Sequence, residues 1–387
     1  MFSFRKDLQK PRAIFLMLTL ITLITYFNSF RNGFISDDIS AILFNPNIQN
    51  FGHQISSYIG LGTDFSNFFI YKFFGANPVP YRFLNILFHI VNTWLIYLLL
   101  TMLNKKKIAF FAACIFAVHP VFVESVTWIS GGNHSRYATY FLLSFIFYLR
   151  SSKNMKLYIL SVCAFAIALQ INIKAISLPL TFLLYELIKG TLKKNWRLTI
   201  PYILLSCFAL VRVSKVIGGF ASQSYADARP ALALSLNLQD DMFLRIPYAI
   251  YSYLILFAFP INLTFFHLGW IYAWYEYLFI GIVFLLYCSS IVYFFKKNKF
   301  IFFWLVFFII PILPELTPVR VSWIVAERYA YISGISFAVL VAMIIQKLIS
   351  IPRFKLFGYV LFVVLTATLM LRTVARNNDW RNELSFW

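Results

Sequence analysis

The chain reads as long apolar runs separated by short polar stretches. About 12 runs can be counted, most of them near the roughly 20 residues a helix needs to cross a bilayer. The first covers residues 13–30, the second 81–103 and the third 108–126, and a fourth comes after the polar stretch 130–136. Two short runs, 157–171 and 175–188, are barely long enough to span. Further runs cover 200–217, 246–266, 275–295 and 300–316; one ends near residue 349 and the last near Arg372. Backbone in lipid must satisfy its own hydrogen bonds, and runs of this length predict helices rather than barrel strands. The expected fold is all-α: one polytopic transmembrane domain over residues 1–387, of about 11–12 membrane helices.

Two polar stretches are too long to be mere connections, residues 31–80 and 218–245. The first carries Asp37, Asp38, Asn45-Pro46, His53 and Asp64, and its aromatic part, residues 65–74, suits a position along the membrane surface. The second carries Gly218-Gly219, Arg229-Pro230 and Asp240-Asp241 and is expected to be a folded loop.

Composition supports this pattern. The chain is 61% hydrophobic and only 12% charged, about half the charged share of a soluble domain. Its net charge of +20 sits in short clusters such as Lys105-Lys106-Lys107, Lys193-Lys194 and Lys296-Lys297 between apolar runs. That is the mark of loops held on the cytoplasmic face beside anionic lipid, and it sets nucleic acid aside as a partner. Cys114, Cys163, Cys207 and Cys288 all lie inside apolar runs and read as small hydrophobes, without a CxxC metal pair. The basic flank of the first run places the N-terminus inside, and no small-residue cleavage site comes after it, so it is expected to be retained. The parity of basic loops requires one run not to cross fully. The run interrupted by Pro260, or one of the two short runs, is the expected re-entrant segment, leaving about 11 crossings and an external C-terminus.

Acids are scarce, 14 against 34 cations, yet Asp37 and Asp38 stand side by side just past the first helix. Adjacent carboxylates shift each other's proton affinity. In the second run, Arg82, Asn85, His89 and Asn92 recur every three or four residues and line one helical face. Such a stripe serves either a ligand or hydrogen bonding between helices. With the expected topology, Asp37, Asp38, Arg82, His89, His119, Glu124, Arg136, Lys174, Glu327 and Arg328 all fall at external ends or loops. Their convergence points to a site. The chemistry expected there is transfer from a lipid-phosphate sugar. Cations hold the leaving phosphate, for which Arg82, His89, Lys174 and Arg328 are candidates, and a carboxylate, Asp37 or Asp38, takes the proton of the attacking hydroxyl. Asn85, His119, Glu124, Arg136, Glu327 and Tyr329 are expected to line the remaining cavity. A divalent metal on Asp37, Asp38 and an outer His or Glu is chemically compatible, but the spacing is no metal signature, so no cofactor is assigned.

These residues also resemble a known family, the multispanning GT-C glycosyltransferases, and within it the O-mannosyltransferases that carry tetratricopeptide repeats after their membrane part. The resemblance rests on Ser36-Asp37-Asp38 with Asn45-Pro46, Tyr81-Arg82-Phe83-Leu84-Asn85 with His89 and Asn92, and the stretch from Phe116 through His119-Pro120 to Val126. It continues in Ala326-Glu327-Arg328-Tyr329-Ala330-Tyr331 and Arg376-Asn377-Asn378-Asp379-Trp380-Arg381. It implies a polyprenyl-phosphate sugar donor, an external active site, an inverting single displacement, and Asp37 as the base or its neighbour. The chain departs from the family at Gly132-Asn133-His134-Ser135-Arg136, where Gly-Arg is frequent, and at Lys174-Ala175, where Lys-Glu is frequent. No repeat domain is expected within the sequence, which ends at Trp387.

The resulting expectation is sugar transfer to an external hydroxyl, on protein Ser/Thr or on a glycan. The partners are the lipid donor, the acceptor and the bilayer. The abundance of Ile, Lys, Asn and Phe fits an AT-rich bacterial genome, hence an inner membrane with the site facing the periplasm or cell exterior (the lumen in a eukaryote). The alternatives are a polysaccharide ligase or polymerase, which should show an Arg/His-centred external loop, and a lipid or solute transporter, which should show internal repeats and mid-membrane polar residues.

Overall fold

The computed structural model describes residues 9–52, 61–103, 105–221, 242–265, 267, 273–316 and 324–386. His53, Arg229, Asp240 and Asp241 lie outside the described residues. Every regular element among the described residues is helical. The long helices are α1 (Gln9–Tyr26), α2 (Leu61–Phe74), α3 (Pro78–Met102), α4 (Lys106–Val118) and α5 (Asn133–Arg150). Then come α6 (Met155–Ile171), α7 (Leu178–Lys189), α8 (Ile200–Ala221) and α9 (Met242–Ala258). The last are α10 (Trp274–Lys297), α11 (Lys299–Ile309), α12 (Ser333–Ser350) and α13 (Lys355–Asp379). Each apolar run of the sequence contains most of one of these helices, and α2 is the aromatic stretch of the first loop.

Among the described residues, six helices are long and apolar enough to cross a membrane, seven if one bent pair counts as a span. The chain is an integral membrane protein. The expected count of about 11–12 spans is not reached by this measure, because several helices of the bundle are short or carry polar faces: α6 has 17 residues and α7 has 12.

Local chemistry sets the helix ends. Asn77, Asn154 and Asn298 each accept a hydrogen bond from the first turn of the helix they precede, meeting donors that a helix leaves open. Gly190 takes a left-handed φ of 73° just after α7, a conformation that costs glycine little. The run at 108–126 is not straight. It bends by 53° at His119-Pro120, because Pro120 removes an amide donor and drives His119 into extended backbone. Proline thus breaks this run, whereas at Pro260 the helix has already ended at Ala258.

The bundle packs around α4, which lies against α1, α3, α12 and α13. Its small residues Ala109, Ala112, Ala113, Cys114 and Ala117 are all buried, which lets neighbouring backbones approach closely. Cys163 and Cys207, by contrast, face outward on α6 and α8 and are not core residues.

Ala113→Leu should therefore overpack this centre and cost about 1–3 kcal/mol. Leu87→Ala, at a side chain 43% exposed, should cost far less. Thermal unfolding in one detergent checks the contrast.

Candidate active site

The chain leaves α1 through a tight turn, Phe27–Arg31, and then runs extended toward the acidic pair. From α3, Arg82 reaches up beneath this segment. It is fully buried, and its Nε donates to Thr127 O at 3.0 Å. Its two terminal nitrogens donate to Asn32 O and Gly33 O. One guanidinium thus ties the acidic loop to the turn after the Pro120–Val126 segment.

Ser36 then adopts a left-handed φ of 50° and Asp38 a right-handed helical one, leading into a wide helical turn at Ile39–Leu43. The two acids have different fates. Asp38 is fully buried; its Oδ1 accepts Ser130 N–H at 2.8 Å and Ser130 Oγ–H at 2.5 Å, and its Oδ2 accepts Ile35 N–H at 3.4 Å. Burial pushes the Asp38 carboxyl up to about 6, against the Ser130 and Ile35 donors and the Arg82 charge, which pull it down. Asp37 is exposed, and among the described residues its carboxylate has no hydrogen-bond or ion-pair partner.

The turn that carries Ser130 is packed without slack. A Cβ on Gly131 would collide with Glu124 O, and one on Gly132 would collide with the Asn85 amide. Asn85 props the turn by donating to Trp128 O and Ile129 O at 3.1 and 3.3 Å, and it accepts from Arg136 at 2.8 Å. The end of α13 closes the other side. Asn377 accepts from Thr127 Oγ1 at 2.7 Å and donates to Thr25 O at 3.0 Å, Asn32 donates to Asn377 O at 2.8 Å, and Trp380 stacks on Trp128 at 5.6 Å.

Beneath this frame lies a belt of buried ion pairs. Glu124, wholly enclosed, accepts the Arg328 guanidinium and also the Arg328 backbone N–H at 2.8 Å. Lys174 lies 2.8 Å from Glu315 and sits on the face of the Tyr329 ring. Burial pulls the Lys174 ammonium down to about 8, against the raising effect of Glu315. Arg376 pairs with Glu327 at 3.2 Å and Asp379 at 2.8 Å, and His267 Nε2 lies 3.6 Å from Glu327. Buried charges persist only when paired, and here each acid of the belt has a cation. The Arg328 and Lys174 side chains keep 12% and 9% of their surface open, although the Lys174 Nζ itself is enclosed between Glu315 and the Tyr329 ring.

A sequence profile of the family described as dolichyl-phosphate-mannose-protein mannosyltransferase matches residues 64–218. The human protein O-mannosyl-transferase TMTC3 is 24% identical over 94% of this chain and 46% of its own length. A protein O-mannosyl-transferase of Caenorhabditis elegans is 25% identical over 96% of this chain and 56% of its own. The fold matches the oligosaccharyltransferase AglB of Archaeoglobus fulgidus, solved with an inhibitory peptide and a dolichol-phosphate. The TM-score is 0.51 at 12% identity, covering 98% of this chain and 57% of that one. The apo form of that archaeal enzyme gives 0.53 at 14% identity, over 97% and 56% of the two chains. In sequence the chain is similar to these protein O-mannosyl-transferases, and in fold to the archaeal oligosaccharyltransferase. It spans about half the length of these relatives.

Within this frame the residues singled out from the sequence divide into two groups. Asp37, Asp38, Glu124, Lys174, Glu327, Arg328 and Tyr329 share one end of the bundle. Arg82 and His89, expected at the donor phosphate, do other work. The carbonyls that hold Arg82 leave it walled off from a ligand. His89 Nε2 lies 3.3 Å from Ala117 O, so that nitrogen carries the proton and Nδ1 accepts from Tyr331 OH at 2.7 Å. Asn92 joins the same network, donating to Tyr331 OH and Ser135 O at 3.0 and 2.7 Å. The polar stripe of α3 is thus hydrogen bonding between helices. His119 also leaves the cavity: it donates to Phe257 O at 3.0 Å and caps the turn at Val121. Asn85 and Arg136 support the Ser130 turn rather than line a pocket.

Three participants carry no sequence signal strong enough to single them out: His267, the pairing of Glu315 with Lys174, and Glu383, whose Oε1 accepts Ser36 N–H at 2.6 Å. Only the scarcity of acids could have flagged the two glutamates. Among the described residues no three His, Cys, Asp or Glu side chains gather as a metal site, and no metal centre is assigned.

Arg82→Lys should destabilise the protein by about 1–3 kcal/mol, since an ammonium cannot serve three separated carbonyls as a planar fork does. Thermal unfolding and proteolysis of the 31–44 loop measure this; a phosphate role would instead leave stability intact. A second expectation concerns pH. The raised Asp38 carboxyl contributes stability that is fully present below about 4 and lost as pH rises through about 6. The unfolding midpoint of Asp38→Asn should lack this component between pH 4 and 6, which paired pH series would reveal.

Proposed function

We propose that the chain transfers a hexose, of the mannose class, from a polyprenyl-phosphate donor to a hydroxyl on an external protein. The observation that carries this reading is the division of the acidic pair. One carboxylate is locked to the scaffold, and the other is exposed with no competing partner among the described residues.

Asp37 acts as the base. It takes the proton of the acceptor hydroxyl as the oxygen attacks C1 of the sugar. The C1–O bond to phosphate breaks with inversion, and the electron pair leaves on the lipid phosphate, whose charge rises. Arg328 and Lys174 stabilise that charge, Arg328 through the guanidinium donors beyond its bond to Glu124 and Lys174 as a point charge. Glu124 and Glu315 keep both cations charged and placed before the donor arrives. Asp38 has no direct part; it pins the loop through Ser130. The names of the relatives and the dolichol-phosphate of the structural neighbour support a lipid-linked donor and a protein acceptor.

The test uses the full chain in lipid nanodiscs with polyprenyl-phosphate mannose and a Ser/Thr-rich protein acceptor. Asp37→Asn should lower transfer by about 10²–10⁴-fold, the usual range for a lost base, with an unchanged unfolding midpoint. Turnover like that of the parent would remove Asp37 from this role.

A further inference from the structure

The acidic loop is held from a site far away in sequence. Glu383 opens the short helix Glu383–Phe386, and its Oε1 accepts Ser36 N–H at 2.6 Å across 347 residues. Next to it, Gly33 N–H donates to Arg381 O at 2.9 Å. The tail therefore grips the loop on both sides of Ile35.

Ser36 is the residue that needs gripping. Among the described residues it alone is a non-glycine with positive φ, at 50°. That conformation crowds the Cβ of an L-residue and is disfavoured without local support. A charged acceptor on the Ser36 amide supplies such support, since hydrogen bonds to carboxylates are about twice as strong as neutral ones. The left-handed step at Ser36 also directs the next three residues. The chain turns at Ser36, Asp38 N–H bonds back to Ile35 O at 3.0 Å, and Ile39 N–H bonds to Ser36 O at 3.1 Å. This reversal buries Asp38 against Ser130 and leaves Asp37 open.

We infer that Glu383 is a positioning residue: it holds Ser36 in the left-handed turn that presents Asp37 to the acceptor. The inference rests on the reading of Asp37 as the base. It places the tail beyond α13, rather than any residue near the ion-pair belt, in control of the catalytic loop.

The test compares the parent with Glu383→Gln, Glu383→Ala and Glu383→Ala combined with Ser36→Gly, all in the full chain in nanodiscs. Hydrogen exchange is read at the amides of Asp38 and Ile39. Glu383→Ala should speed their exchange by about ten-fold, with the core of α3 and α4 unchanged. Glu383→Gln should restore slow exchange, because its amide oxygen still accepts from Ser36. Ser36→Gly should restore it in part, because glycine adopts the turn at little cost. In transfer assays Glu383→Ala should lower kcat about ten-fold with donor KM within about two-fold, the signature of a misplaced group. Parent-like exchange in Glu383→Ala, or equal loosening in Ala and Gln, would overturn the inference. The expected exchange pattern in a parent that transfers no sugar would instead overturn the functional reading and leave the turn assignment standing.

Discussion

Much of this end of the molecule depends on one buried guanidinium. Arg82 is a full charge with no exposed surface, and such a charge is tolerated only when its donors are met. Its partners are three carbonyls from two segments, Asn32 and Gly33 before the acidic pair and Thr127 before Ser130. Satisfying Arg82 therefore forces those segments together. Once they meet, Ser130 stands where Asp38 can accept both of its donors, and the tail of α13 can close over them through Asn377 and Trp380.

The proposed chemistry depends on this placement. Asp38 is spent on the scaffold, which frees Asp37. The ion-pair belt keeps positive charge ready without leaving any of it unpaired: Arg328 with Glu124, Lys174 with Glu315, Arg376 with Glu327. Pairing sets the geometry in advance, so the proposed reaction needs little reorganisation of these cations. The same belt accounts for three of the chain's few acids, Glu124, Glu315 and Glu327. Each is the counter-ion that lets a cation stay buried.

The fold was largely legible in the sequence, because helix length in a membrane is set by bilayer thickness and the apolar runs record it. The aromatic run at α2 and the acidic pair could be located for the same reason, as departures from a plain background. The division of labour among like residues was not legible. Arg82 and Arg328 are the same side chain near the same membrane boundary; only the carbonyls around one and the carboxylate beside the other separate a clamp from a candidate ligand. His89 and Asn92 sit on a helical face at the spacing of a binding stripe, and that spacing serves equally well to bond α3 to its neighbours. The bend at His119-Pro120 was visible as a dipeptide but not as a 53° turn, since its angle depends on what packs there. Glu383 carries no local signal at all, because its partner lies 347 residues away.

Sugar transfer to protein is most directly tested in cells. Proteins exposed on the far side of the host membrane can be compared by mass spectrometry between cells that carry this chain, cells that lack it, and cells in which it has been restored. Transfer predicts that a set of Ser/Thr peptides loses a hexose-sized mass without the chain and regains it on restoration. An unchanged set of glycopeptides across all three would contradict a protein glycosyltransferase.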